Sequence, residues 1–274
     1  LRALAIVLVV ACHAGVPFLR GGFIGVDLFF VLSGYLISGL LVEELKLTGR
    51  IDLFDFYARR LRRLLPALLL MAIVVSLAAW VVLSPGEQLS QAATALFVPL
   101  WLSNIRFAAF ELDYFGRGAD DELFLHTWSL GVEEQFYIAW PVLLWLLWRS
   151  GARSGRGEPL LSLALCVVVI ASLAGALLIG LLAREYAFYL PVARVWQFAL
   201  GGIVYLGGAS ALAWLQSQAG GIAPRLTSLC GWIGLALVLS AAVGLDGAQT
   251  YPGLWALLPS LGAALLILSG IKGG

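Results

Sequence analysis

His13 is an ionisable side chain inside an apolar run, residues 4–19, and Arg2 lies eleven positions before it. Imidazole, with an ordinary pKa of about 6.5, is suited to taking a proton from a weak nucleophile near neutral pH. If the run is helical, eleven residues at about 100° each bring Arg2 and His13 to within roughly 20° of one face. At about 1.5 Å per residue they then sit roughly 16 Å apart along the axis. Such a face links one edge of a membrane to its interior. Polar groups at that depth are costly, so an intramembrane histidine is a functional candidate; the plainer reading is a histidine bonded to a neighbouring carbonyl for packing.

The elements that must position these groups follow from composition. The chain has 274 residues, 61% of them apolar and 12% charged, with a mean hydropathy of +0.96. One soluble core cannot hide that much apolar surface, which places the chain among integral membrane proteins surrounded by lipid. The net charge of +1 says little about partners, and nothing in the pattern suggests a nucleic-acid surface. Cys12, Cys166 and Cys230 fall in apolar segments without metal-ligand spacing, so neither a disulfide framework nor a metal site is expected. The chain begins at Leu1 without a methionine, which suggests a fragment.

Apolar runs long enough to cross a bilayer cover residues 3–19, 23–42, 64–83, 127–148, 160–183, 188–207, 226–244 and 254–271. A ninth candidate, 92–105, is short and contains Pro99 and Asn104. Lys46, Arg50, Arg59, Arg60, Arg62 and Arg63 follow the second run, and Arg149, Arg153 and Arg156 follow the fourth. The positive-inside rule puts both groups in the cytoplasm. Residues 84–126 then lie wholly outside, with 92–105 a re-entrant or interfacial helix, and Arg225 and Lys272 fall inside. The expectation is an all-α, polytopic transmembrane bundle of about eight spans. On this topology His13, Asp27, Glu133 and Arg194 share one depth, roughly 6 to 9 Å below the outer surface. Four ionisable groups of mixed sign at one level would compensate one another if their spans pack together.

The local sequences carry a family resemblance. Arg2 and His13 form an Arg-x10-His pair, followed by GGFIGVDLFFVLSGYLI at 21–37, FYARRLRRLLP at 56–66 and HTWSLGVEEQFYIAWP at 126–141. ARVWQFALGG at 193–202 and YPGLWALLPSLGAALLI at 251–267 resemble later blocks. The chain resembles the acyltransferase-3 family of membrane enzymes, which transfer acyl groups, commonly acetyl, onto sugars and other envelope or secreted acceptors. The resemblance covers nearly all of residues 1–274 as one transmembrane domain. It implies an incomplete, C-terminally truncated domain, because closing spans and the SGNH hydrolase-like domain often joined to this version are absent. Gln197 stands where the family pattern has a glutamate, which puts a carboxylate contribution there in doubt.

The resemblance implies a membrane O-acyltransferase in the inner membrane. It would use acyl-CoA, commonly acetyl-CoA, as donor and a glycan or other hydroxyl as acceptor. His13 is then the general base. Asp27 or Glu133 either orients its imidazole, as a carboxylate does in hydrolase triads, or binds acceptor hydroxyls. A transient acyl-histidine is a further chemical option. Arg60, Arg63 and Pro66 fit the family's Arg-x-x-Arg-x-x-Pro pattern. With Arg2, these arginines would hold the donor's phosphates, although a basic cluster before a span also serves as a topology signal. Arg194, Trp128 and Tyr137 are the candidates for contact with the acceptor; aromatic rings near the outer interface are also ordinary membrane belts. His126 is a reserve acid-base group. Gly21, Gly22, Gly25, Ser33 and Gly34 read as close-packing positions. The rival class is a transporter of a sugar-lipid, which would place charges in its spans but would show repeats that this sequence lacks.

Overall fold

The computed structural model describes residues 1–152, 157–219, 222–247 and 251–271. Among them the secondary structure is helical and contains no strand. The helices are α1 (Arg2–His13), α2 (Gly25–Thr48), α3 (Leu53–Val82), α4 (Pro85–Phe97), α5 (Ser103–Ala109), α6 (Trp128–Ala152), α7 (Gly157–Leu182), α8 (Arg184–Tyr189), α9 (Val195–Ala219), α10 (Ala223–Gly244) and α11 (Leu257–Gly270). Local signals set their ends. Gly49 closes α2 at φ 72, a left-handed position that suits glycine. Asp52 caps α3 by accepting from the Asp55 N–H. Ser84, Pro85 and Glu87 start α4 with a capping box.

Five helices are long and apolar enough to cross a membrane: α3, α7, the Val195–Gln218 and Pro224–Gly244 stretches of α9 and α10, and Arg20–Thr48, which ends in α2. The chain is a multi-pass membrane protein, but the expected count of eight spans is not confirmed. α6 is of similar length and interrupts its apolar sequence with Glu133, Glu134 and Gln135. α1 has 12 residues and α11 has 14, about 18 and 21 Å of helix against a hydrocarbon core of about 30 Å. The first expected span, 3–19, stops at His13 because Gly15, at φ 67, and Pro17 do not sustain a helix. Arg153, Arg156 and Lys272, expected on the cytoplasmic side, lie outside the described residues.

α2 is the central element. It packs against α1, α6, α9 and α11, and its approach to α9 is backbone on backbone. A Cβ on Gly34 would stand 1.9 Å from the Phe198 carbonyl oxygen, and one on Gly201 would stand 2.0 Å from that of Val31. Only glycine permits that contact. α3 stands to one side, with Leu70, Ile73, Val74, Leu77 and Trp80 exposed, as expected of a lipid-facing helix.

The disputed stretch 92–105 is broken rather than continuous. α4 runs back along α3: at its start Gln88 donates to the carbonyls of Trp80 and Leu83, and at its end Ala95 and Val98 pack with Leu68, Met71 and Ala72. The chain turns at 98–102, where Trp101 holds φ 57, and α5 leads away again. This helical hairpin brings its tip to the flank of α6.

Candidate active site

Glu133, Glu134 and Tyr137 lie on consecutive turns of α6. Neighbouring helical residues diverge by about 100°, so the two glutamates face different helices. Glu133 turns to α2: Ser33 Oγ donates to its Oε1 at 2.5 Å, and the Tyr137 hydroxyl, one turn on, donates to the same oxygen. Oε2 takes no hydrogen bond from any described residue. Glu134 turns to α3, where Arg60 Nη2 donates to Oε1 at 2.6 Å and Nε to Oε2 at 3.3 Å. The Arg60 guanidinium also covers the Tyr137 ring, 3.4 Å from its centroid, so one cation is held by an anion and a π face together.

These groups wall a cavity of about 570 Å³ between α1, α2, α3 and α6. Arg2, Arg59, Arg60 and Arg63 line it with Glu133, Glu134, Tyr137 and Ser33; Phe29, Leu36, Ile37, Leu40 and Leu64 supply apolar wall. Arg59 pairs with Asp55 and Arg60 with Glu134. Among the described residues Arg2 and Arg63 have no acidic partner. The cavity therefore carries two unbalanced cations near a partly exposed carboxylate.

A second, drier cluster lies between α2, α9 and the segment around Tyr251. Arg194 is 1% exposed and Asp27 2%. Arg194 Nη1 donates to Asp27 Oδ1 at 3.2 Å and its Nε to the Phe188 carbonyl at 3.0 Å. Gln197 Nε2 donates to Asp27 Oδ1 at 2.5 Å and to Ser260 Oγ at 2.9 Å; the Tyr251 hydroxyl donates to Oδ2. The rings of Phe188, Trp128 and Tyr251 surround the guanidinium. The amide at Gln197 has a physical reason. A carboxylate there would set a second anion beside Asp27 with only Arg194 to balance both, whereas the amide donates.

His13 joins neither cluster. It ends α1 with an exposed side chain, and its Nδ1 lies 2.8 Å from the Val9 carbonyl oxygen. A carbonyl can only accept, so Nδ1 donates, and in the neutral ring Nε2 then keeps its lone pair. Desolvation by burial holds the imidazole of His126, just outside α6, below its ordinary value.

The expected single layer of His13, Asp27, Glu133 and Arg194 thus divides in three. Asp27 and Arg194 pair with each other, Glu133 faces the cavity, and His13 sits apart, hydrogen-bonded to neither carboxylate. The role of orienting His13, expected of Asp27 or Glu133, falls in this structure to the Val9 carbonyl. Arg194 and Trp128, expected to meet an acceptor, are buried, Trp128 at 2% exposure, among rings that include Phe30, Tyr114, Phe188 and Tyr189. Arg2, Arg60, Arg63, Glu133 and Tyr137 come together around the cavity. Ser33, read from sequence as a packing position, instead bonds Glu133. Gly21, Gly22, Gly25 and Gly34 do sit against neighbouring backbone. From sequence, Glu134 stood only as the alternative to Glu133, Arg59 only as one of a basic cluster and Tyr251 only as part of a block; the one available signal was that a paired Glu-Glu on a helix must serve two neighbours.

Comparison with known proteins places this geometry. A family model described as an acyltransferase domain matches residues 1–274. O-acetyltransferase OatA of Staphylococcus aureus is 40% identical over 147 residues, 54% of this chain and 24% of that protein. YrhL of Bacillus subtilis, provisionally named a peptidoglycan O-acetyltransferase, is 40% identical over 177 residues, 63% of this chain and 27% of that protein. The chain spans about a quarter of the length of these curated relatives. No solved structure matches it. With the family match running from the first residue to the last, the chain belongs to the acyltransferase-3 family and is an acyltransferase domain.

Proposed function

We propose that this domain takes an acetyl group from acetyl-CoA at the cytoplasmic face of the inner membrane and places it on a hydroxyl of an envelope glycan outside. One observation carries the donor assignment: Arg2 and Arg63 line the 570 Å³ cavity without acidic partners, as a site for phosphate groups requires. Arg60, neutralised by Glu134, holds the wall and covers Tyr137. The names of the relatives, O-acetyltransferase and peptidoglycan O-acetyltransferase, support an acetyl group and a glycan acceptor.

α1 is the link. It starts at Arg2 in the cavity and ends about 16 Å further along its axis at His13, the path along which the donor's thiol arm extends. His13 Nε2, free because Nδ1 donates to Val9, takes the proton from the acceptor hydroxyl. The hydroxyl oxygen bonds the thioester carbonyl carbon, the C–S bond breaks, and coenzyme A leaves as the thiolate, which then takes up a proton. Glu133, held at Oε1 by two hydroxyls, offers Oε2 to a substrate N–H or O–H in the cavity.

The test is donor affinity. Arg63→Ala, in protein that inserts correctly, is expected to bind acetyl-CoA more weakly by an amount on the order of 1.5 to 3 kcal/mol, the worth of a hydrogen bond to a charged group. The parent should bind dephospho-CoA less tightly than CoA. Unchanged acetyl-CoA affinity in Arg63→Ala would leave that arginine as a topology signal and move the donor elsewhere.

A further inference from the structure

We infer that Gln135 is a positioning residue: with Asn104 it latches the tip of the helical hairpin onto α6 and keeps outer water from the acyl donor. This rests on the acetyl-CoA reading above. Gln135 Nε2 donates to the Trp101 carbonyl at 2.6 Å and to Asn104 Oδ1 at 2.9 Å. Asn104, fully buried, returns a bond to Gln135 Oε1 at 3.3 Å and donates to the Tyr189 carbonyl at 3.1 Å. The latch therefore joins the hairpin, α6 and the end of α8. It also accounts for the left-handed backbone of Trp101, a conformation that a large residue keeps only where its surroundings impose it.

Two observations give the latch a role in the reaction. The first is its place. Trp101, at the hairpin tip, lines an apolar cavity of about 280 Å³ whose other walls include Arg60, Glu134 and Tyr137. Those three residues also line the proposed donor cavity, so the tip lies just across the Arg60 and Glu134 pair from the donor. The second is the polar route above it. Gln91 donates to the Asp121 carbonyl at 2.9 Å and accepts from the Leu123 N–H at 3.1 Å. Thr94 donates to Glu122 at 3.3 Å, and Arg106 donates to Thr94 at 3.0 Å. These groups join α4 and α5 to the segment 121–123, and Arg106 lies two residues beyond Asn104 on α5. Polar groups are the path of least cost for water in apolar surroundings, and on this inference the amide pair bars that path to the donor. Excluding water protects a thioester from a side reaction in which water takes the acyl group and releases acetate and coenzyme A.

Gly131 supplies an independent handle. A Cβ there would stand 2.6 Å from Asn104 Oδ1 and 3.2 Å from the Trp101 carbonyl. Gly131→Ala therefore displaces the tip without changing the chemistry of any latch group. Gln135→Glu keeps the side-chain length but turns a carboxylate toward two oxygens, so it should not rescue the loss seen in Gln135→Ala.

The experiment uses the full-length protein in lipid nanodiscs, acetyl-labelled acetyl-CoA and isolated peptidoglycan as the acceptor probe. Free acetate is counted against acetyl bound to glycan. The parent is expected to release little acetate, and Gln135→Ala, Gln135→Glu and Gly131→Ala to raise the acetate share roughly tenfold. A merely structural latch would lower acetate and glycan ester in parallel, and an unchanged share in all three variants overturns the inference. A parent that releases no coenzyme A from acetyl-CoA would overturn the donor reading itself, and the latch's role with it.

Discussion

Arg194→Leu is expected to lower the stability of the domain by about 3 to 5 kcal/mol, because it strands the Asp27 carboxylate without its counter-charge in a site from which water is excluded. Asp27 is 2% exposed, and the donors that remain to it, Gln197 and Tyr251, are neutral. The double variant Asp27→Leu with Arg194→Leu removes both charges and should recover much of the loss, since replacing a buried ion pair by apolar groups is often nearly neutral. Thermal unfolding in detergent, followed by the amount of monodisperse protein after heating, measures both. A single variant as stable as the parent would mean that the pair does not hold α2 to α9.

His13→Ala is expected to cut acetyl transfer by about 10² to 10⁴, the usual contribution of a general base, while acetyl-CoA affinity stays within a few-fold of the parent. The side chain is exposed and bonds only the Val9 carbonyl of its own helix, so its removal opens no cavity and strands no charge. Transfer rate and donor affinity measured on the same preparation check this. Transfer within a few-fold of the parent would remove His13 from the chemistry and leave it as a helix-end residue.

Much of the site was legible in the sequence, and the failures have specific causes. Arg2 and His13 were correctly placed on one helix, because the apolar run 4–13 is uninterrupted; its end was misjudged because hydropathy continues through Gly15 and Pro17 although helical backbone does not. Gathering Asp27 and Glu133 failed for a different reason. Depth follows from sequence position, but which neighbour a side chain meets also depends on rotation about the helix axis. Asp27 and Ser33 are six residues apart on α2, about 600° and so about 240° apart in projection. Asp27 accordingly turns to α9, and Ser33 turns to Glu133 on α6. The partners of Glu133 and Glu134 come from helices 100 and 74 positions away, and no local pattern specifies such pairings. The hairpin was legible only as a doubt about 92–105; that its tip reaches α6 follows from Gln135, whose neighbours Glu133 and Glu134 drew the attention first.

In the proposed reaction donor and acceptor meet from opposite sides, with the donor held at Arg2 and Arg63 and its acyl group delivered along α1 to His13. Right-side-out membrane vesicles carrying the full-length protein, loaded with acetyl-labelled acetyl-CoA and given peptidoglycan only outside, test this directly. Labelled ester is expected on the external glycan, with Arg63→Ala vesicles requiring a higher internal acetyl-CoA concentration to match the parent. Label appearing on the glycan only when acetyl-CoA is supplied outside would contradict it.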